Sequence, residues 1–189
     1  MQARDGNRTC PAGPEGADMK RLGLLAVAML GAIIGAFSLA TPGAALDRPS
    51  GPVILTVTGA ITHTNDGDRA VFDRALLERL GKAKIKTTTV WTDGVNEFEG
   101  VPVKTLLDAV GRKGHKLRAM AINDYTIELD AREFDTVPAL LATKMNGVEL
   151  KVRDKGPIWL VFPRDDFPAF RSESNNFKWI WQLKTITVQ

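Results

Sequence analysis

Thiols are almost missing from this chain: its one cysteine, Cys10, precedes the long apolar run at residues 22–40. A domain formed beyond that run therefore has no disulfide and no thiolate to offer a metal or a substrate. A domain large enough to bury its own core can do without disulfides. Histidine is nearly as scarce, with only His63 and His115. They stand far apart in loop-like contexts, whereas an ordinary zinc site draws several His or Cys ligands at close spacing. There is no Gly-x-Ser-x-Gly elbow, no glycine-rich phosphate loop and no His-Glu-x-x-His helix, which removes the common hydrolase, nucleotide and metalloprotease readings. An excess of one charge is lacking too. The whole chain carries +3, and four basic residues (Arg4, Arg8, Lys20, Arg21) and three acidic ones (Asp5, Glu15, Asp18) lie before residue 46. The remainder is close to neutral, without the clustered basic face that nucleic acid requires.

What is present begins with an export pattern. Lys20-Arg21 leads into LGLLAVAMLGAIIGAFSLA (22–40), which has no charged residue, and small residues follow at Gly43 and Ala45. A basic start, an apolar run and a small-x-small site describe a secretory signal peptide. The run is also long enough to span a bilayer, so an uncleaved N-terminal anchor is the competing reading. The expected organisation is an N-terminal extension and signal over 1–45, then a single domain over 46–189, periplasmic or secreted. Membrane contact is expected only through the N-terminal segment, should it remain. No Arg-Arg pair precedes the run, so the signal reads as Sec-type rather than twin-arginine, the route of proteins that fold around a cofactor before export.

The domain reads as α+β, with short strands dominant. VILTVTGAI (53–61) alternates as a strand ending at Gly59. RAVFDRALLERL (69–80) has Phe72, Ala75, Leu76 and Leu80 at helical spacing, with Asp66 or Asp68 placed as its cap and Gly81 closing it. KIKTTTVW (84–91) is rich in β-branched residues and predicts a strand. VPVKTLLDAVG (101–111) predicts a helix with Pro102 in its first turn. LRAMAI (117–122) and YTIEL (125–129) predict strands broken by Asn123-Asp124, and DARE (130–133) a short helical turn. Asn146-Gly147, between two apolar runs, predicts a tight hairpin. IWLVF (158–162) suits a buried strand, and LKTITV (183–188) a closing one.

The candidate site is drawn from aromatics beside polar turns. Trp159 lies inside an apolar run and belongs to the core. Trp91 adjoins Thr92-Asp93-Gly94, and Trp179 adjoins Lys178. A third polar segment, RDKGP (153–157), leads into the buried strand and supplies Arg153 and Lys155. If these segments meet at one sheet edge, Trp91, Thr92, Asp93, Arg153, Lys155, Lys178 and Trp179 form a pocket of donors beside aromatic walls. Such a pocket suits a small planar or anionic ligand. A patch around Trp179 and Trp181 reads as packing first and as a docking surface second.

The same segments resemble the molybdopterin-binding domain of the sulfite oxidase family, in its small secreted bacterial form. FEGVPVKTLLDAVG (98–111) is similar to the family's Gly-Val-Pro-Leu lead into a helix, and INDYTIEL (122–129) to the strand that follows. LLATKMNGVELKVRDKGPIWLVFP (140–163) and FKWIWQLKTITV (177–188) resemble its later runs. The resemblance implies the family's α+β fold, with molybdopterin as the cofactor of its catalytic members. In those members a cysteine near the end of the strand before the helix supplies a thiolate to molybdenum. Here that region is TTTVWTDG (87–94), and the family's His before Gly-x-Pro is replaced by Lys155. Loss of the thiolate removes a ligand that sets the metal's electronics.

Three functions follow as expectations. The first is an exported, non-catalytic module that binds a small molecule or a periplasmic protein partner, with no cofactor. The second is a molybdopterin-dependent oxidoreductase with an oxygen ligand such as Asp93. The third is an interaction or sensor-input domain without a ligand.

Overall fold

The computed structural model describes residues 46–189. The proposed signal or anchor over 1–45 lies outside the described residues. Within them no helix is long and apolar enough to cross a membrane.

Two five-stranded sheets carry the domain. The first has the order β2-β1-β10-β5-β6, built from β1 (Leu55–Gly59), β2 (Ala70–Phe72), β5 (Lys116–Ala121), β6 (Thr126–Asp130) and β10 (Leu183–Val188). Only β1 and β10 run parallel, with Thr56 opposite Thr185 and Val57 opposite Ile186. The second has the order β3-β4-β7-β8, from β3 (Ala83–Thr89), β4 (Thr92–Pro102), β7 (Leu140–Met145) and β8 (Val148–Glu149). Its fifth strand, β9 (Trp159–Val161), pairs with β7. Two short helices, α1 (Arg74–Arg79) and α2 (Val103–Ala109), complete the α+β architecture. One apolar core joins Leu55, Val57, Leu117 and Ile186 of the first sheet to Phe98, Leu141 and Trp159 of the second.

Much of this follows from local chemistry. The closing strand occupies 183–188 as its alternation predicts, with Leu183, Ile186 and Val188 buried. Asn146 and Gly147 take φ of 51° and 77° and join β7 to β8. Two successive positive φ angles are what a two-residue hairpin turn needs, and Asn and Gly tolerate them best. Asp130 caps the turn at Ala131–Asp135, its carboxylate accepting from the Arg132 amide at 2.9 Å.

Two expectations are corrected. The segment 69–80 is not one helix. Ala70, Val71 and Phe72 are all buried and pair with β1, Leu55 facing Phe72 and Val57 facing Ala70. The helix starts only at Arg74. Asp73 is its cap, not Asp66 or Asp68, accepting from Leu76 N at 2.7 Å and from the amides of Ser50 and Gly51 at 2.7 Å each. Sheet pairing thus overrides a helical spacing that ran on through the strand. The second correction concerns 92–102. These residues, with no strand signal in their polar first half, form the longest strand in the domain, burying Asn96, Phe98 and Gly100 in alternation. Pro102 ends β4, and α2 begins at Val103.

Candidate functional site

The stretch Thr87–Gly94 is the β3–β4 hairpin end, and its polar side chains hold each other. Thr89 Oγ1 and Thr92 Oγ1 lie 2.8 Å apart, and the Trp91 amide donates to Thr89 Oγ1 at 3.1 Å. Asn96, buried on β4, reaches back under the turn. Its amide nitrogen donates to Thr92 Oγ1 (3.1 Å), the Asp93 carbonyl (3.0 Å) and the Gly94 carbonyl (3.2 Å). Its amide oxygen accepts from Asn146 Nδ2 at 2.8 Å, tying this turn to the β7–β8 hairpin. On the other side, Thr88 donates through its amide and hydroxyl to Asp165 at 2.7 and 2.6 Å. Those bonds hold the Asp165 carboxyl below the usual carboxylate range. Arg164 Nη1 adds a bond to Thr88 Oγ1 at 2.9 Å.

This scaffold places Trp91 at the centre of the tryptophans. Its ring lies 5.7 Å from that of Trp179, 5.6 Å from Trp181 and 6.4 Å from Trp159, inclined by 55°, 80° and 67°. Beside this cluster opens a cleft of about 410 Å³. Trp91, Trp179 and Trp181 line it together with Tyr125, Phe177 and the amides of Asn123 and Asn176. That volume falls within the range of small-molecule sites.

The expected residues divide. Trp91 and Trp179 line the cleft, and Trp181, read from sequence mainly as packing, joins them. Thr92 supports the turn from beneath, bonded to Thr89 and Asn96. Lys155 places its ammonium 5.5 Å from the Trp159 ring centroid and 6.0 Å from that of Trp181, on the flank of the cluster. Lys178 does not join them. Its ammonium pairs with Glu133 at 2.7 Å and lies 5.6 Å from the Phe170 ring, so it ties the Glu173–Lys178 turn to the Ala131–Asp135 turn. Arg153 is exposed and lies 3.4 Å from its neighbour Asp154. Asp93 is exposed and offers its backbone carbonyl, not its carboxylate, to Asn96. His63 bonds to the Ala109 carbonyl at 2.9 Å, and His115 is exposed. Tyr125, Asn123, Asn176 and Phe177 were not anticipated. The one available hint was that Tyr125 is the only tyrosine in the chain.

The family described as the oxidoreductase molybdopterin binding domain matches residues 73–188. No curated protein matches the sequence. Among solved structures, the sulfane dehydrogenase SoxCD from Paracoccus pantotrophus superposes with a TM-score of 0.53 at 18% identity. That match covers 71% of this chain but 37% of the other, so the likeness is one of fold.

The donor set here does not fit a molybdenum–pterin centre. Residues 46–189 contain no cysteine. The hydroxyls of Thr88, Thr89 and Thr92 are engaged with Asp165, with one another and with Asn96. No Lys or Arg lines the tryptophan cleft.

Proposed function

Because the chain belongs to the oxidoreductase molybdopterin-binding domain family while residues 46–189 carry no thiol, we propose that it uses the family scaffold for binding rather than for redox catalysis. The ligand is a small organic molecule held against the wall of Trp91, Trp179 and Trp181. The observation that carries this reading is the gathering of three of the four tryptophans and the only tyrosine around one cleft. Aromatic faces beside a few amide groups are the usual lining of a small-molecule site. An anionic ligand loses support, because Lys178 is committed to Glu133 and no cation lines the cleft. The domain works outside the cytoplasm, a proposal supported by the basic and apolar pattern at 20–45.

The test starts from the full chain, expressed in a host that makes molybdenum cofactor. The exported form is recovered from the periplasm, and its bound molybdenum and pterin are measured per protein. Tryptophan emission is then titrated with small metabolites. The expected result is no molybdenum and saturable quenching. Near-stoichiometric molybdenum overturns the proposal and directs attention to Asp93 as a substitute oxygen ligand. No metal and no quenching leaves an interaction or sensor-input domain.

A further inference from the structure

We propose that the tryptophan cleft receives a compact quaternary ammonium group, of the chemistry found in choline and betaines; this rests on the binding-module reading above. Three observations converge. First, the indole rings that line the cleft are set at angles to one another. Trp91 meets Trp179 and Trp181 at 55° and 80°. A flat ligand wants two near-parallel faces to stack between, whereas a rounded cation is served by faces arriving from several directions. Second, among the described residues the cleft lining carries no Lys, Arg, Asp or Glu, and its polar side-chain groups besides the aromatic ones are the amides of Asn123 and Asn176. Ring faces and amide oxygens are electron-rich, and no formal positive charge stands in the lining itself, so the lining favours a cation. Third, the cluster already holds a cation: the Lys155 ammonium lies within 6.0 Å of the Trp159 and Trp181 centroids, the distance at which a ring face stabilises positive charge. At the mouth, Tyr125 and Phe177 stay 48% and 47% exposed, leaving two more aromatic faces for the ligand to cover.

The experiment is calorimetric titration of the exported domain with choline, its neutral isostere 3,3-dimethylbutan-1-ol, adenine and benzoate. Choline is expected to bind roughly ten-fold tighter than the alcohol, because the two differ in charge and hardly in shape. Replacing tryptophan by 5-fluorotryptophan, which weakens the ring quadrupole without altering the fold, should lower choline affinity and leave the alcohol's unchanged. Lys155→Gln removes a like charge near the ligand and should tighten choline a few-fold. The inference is overturned if the alcohol or adenine binds as well as choline, or if benzoate binds and Lys155→Gln abolishes it. Either result leaves the binding-module reading standing. If none of the probes binds and the wider metabolite titration is also silent, both readings fall.

Discussion

Asn96 connects the hairpin end that carries Trp91 to the rest of the second sheet, so Asn96→Ala is the most informative single substitution. The side chain is 7% exposed. Its two N–H groups serve three acceptors on Thr92, Asp93 and Gly94, and its oxygen accepts from Asn146. Counting the shared donors as two bonds and the acceptor as a third, at about 1 kcal/mol net each, gives a loss of about 2–3 kcal/mol. Asn146 is exposed, so water re-satisfies its amide and adds no further penalty. Asn96→Asp is expected to cost more than Asn96→Ala. It keeps the acceptor for Asn146 but places a carboxylate against the carbonyls of Asp93 and Gly94, where no donor remains. Urea unfolding followed by tryptophan emission reads both effects, with a lower midpoint at unchanged slope. The native emission should also shift to the red, because the turn that packs Trp91 against Trp179 and Trp181 loosens. An Asn96→Ala protein within about 0.5 kcal/mol of the parent, with unchanged emission, would refute the reasoning. So would an Asn96→Asp protein more stable than Asn96→Ala.

Other consequences are as specific. A Cβ on Gly100 would sit 2.1 Å from the Leu141 carbonyl oxygen and 2.7 Å from Ala142 Cα, so Gly100→Ala must force β4 from β7. We expect a loss of about 3 kcal/mol or more. Gly147→Ala, strained only by its φ of 77° with open space around it, should cost about 1–2 kcal/mol; equal midpoints in urea would sink that distinction. Asp165, held below its ordinary value chiefly by the Thr88 hydroxyl, favours the fold only while ionised. The stability gap between the parent and Asp165→Asn should stay full above about pH 4 and close as pH falls through the lowered folded value. A gap that widens on acidification reverses the sign and refutes the assignment. Lys178→Met should lower the unfolding midpoint, since it leaves Glu133 without its 2.7 Å partner, yet it should not weaken ligand quenching. A large loss of binding in a folded Lys178→Met protein would return Lys178 to the site.

Local signals were legible because they report backbone requirements that no distant contact alters. Asn146-Gly147 names a turn by the φ angles it tolerates, and Leu183–Val188 names a strand by its alternation. β4 was illegible in its first half because Asn96 is buried there as a polar tether, paired with a residue fifty positions away. A buried polar side chain breaks the apolar alternation from which strands are read. Ala70–Phe72 were misread for the opposite reason. Their apolarity fits a helix face as well as a strand, and only pairing with β1 decides between them.

The sequence by itself determined the α+β class, the order of most elements, the core position of Trp159 and the loss of any thiol beyond Cys10. Each of these depends on residue type and near neighbours alone. Tertiary structure decided which tryptophans share a cleft, that Tyr125 and Phe177 frame it, and that Lys178 turns to Glu133 while Lys155 rides on the rings. Those outcomes depend on the register between strands far apart in the chain and on the direction each side chain takes from its backbone. Residue spacing along a single segment carries neither.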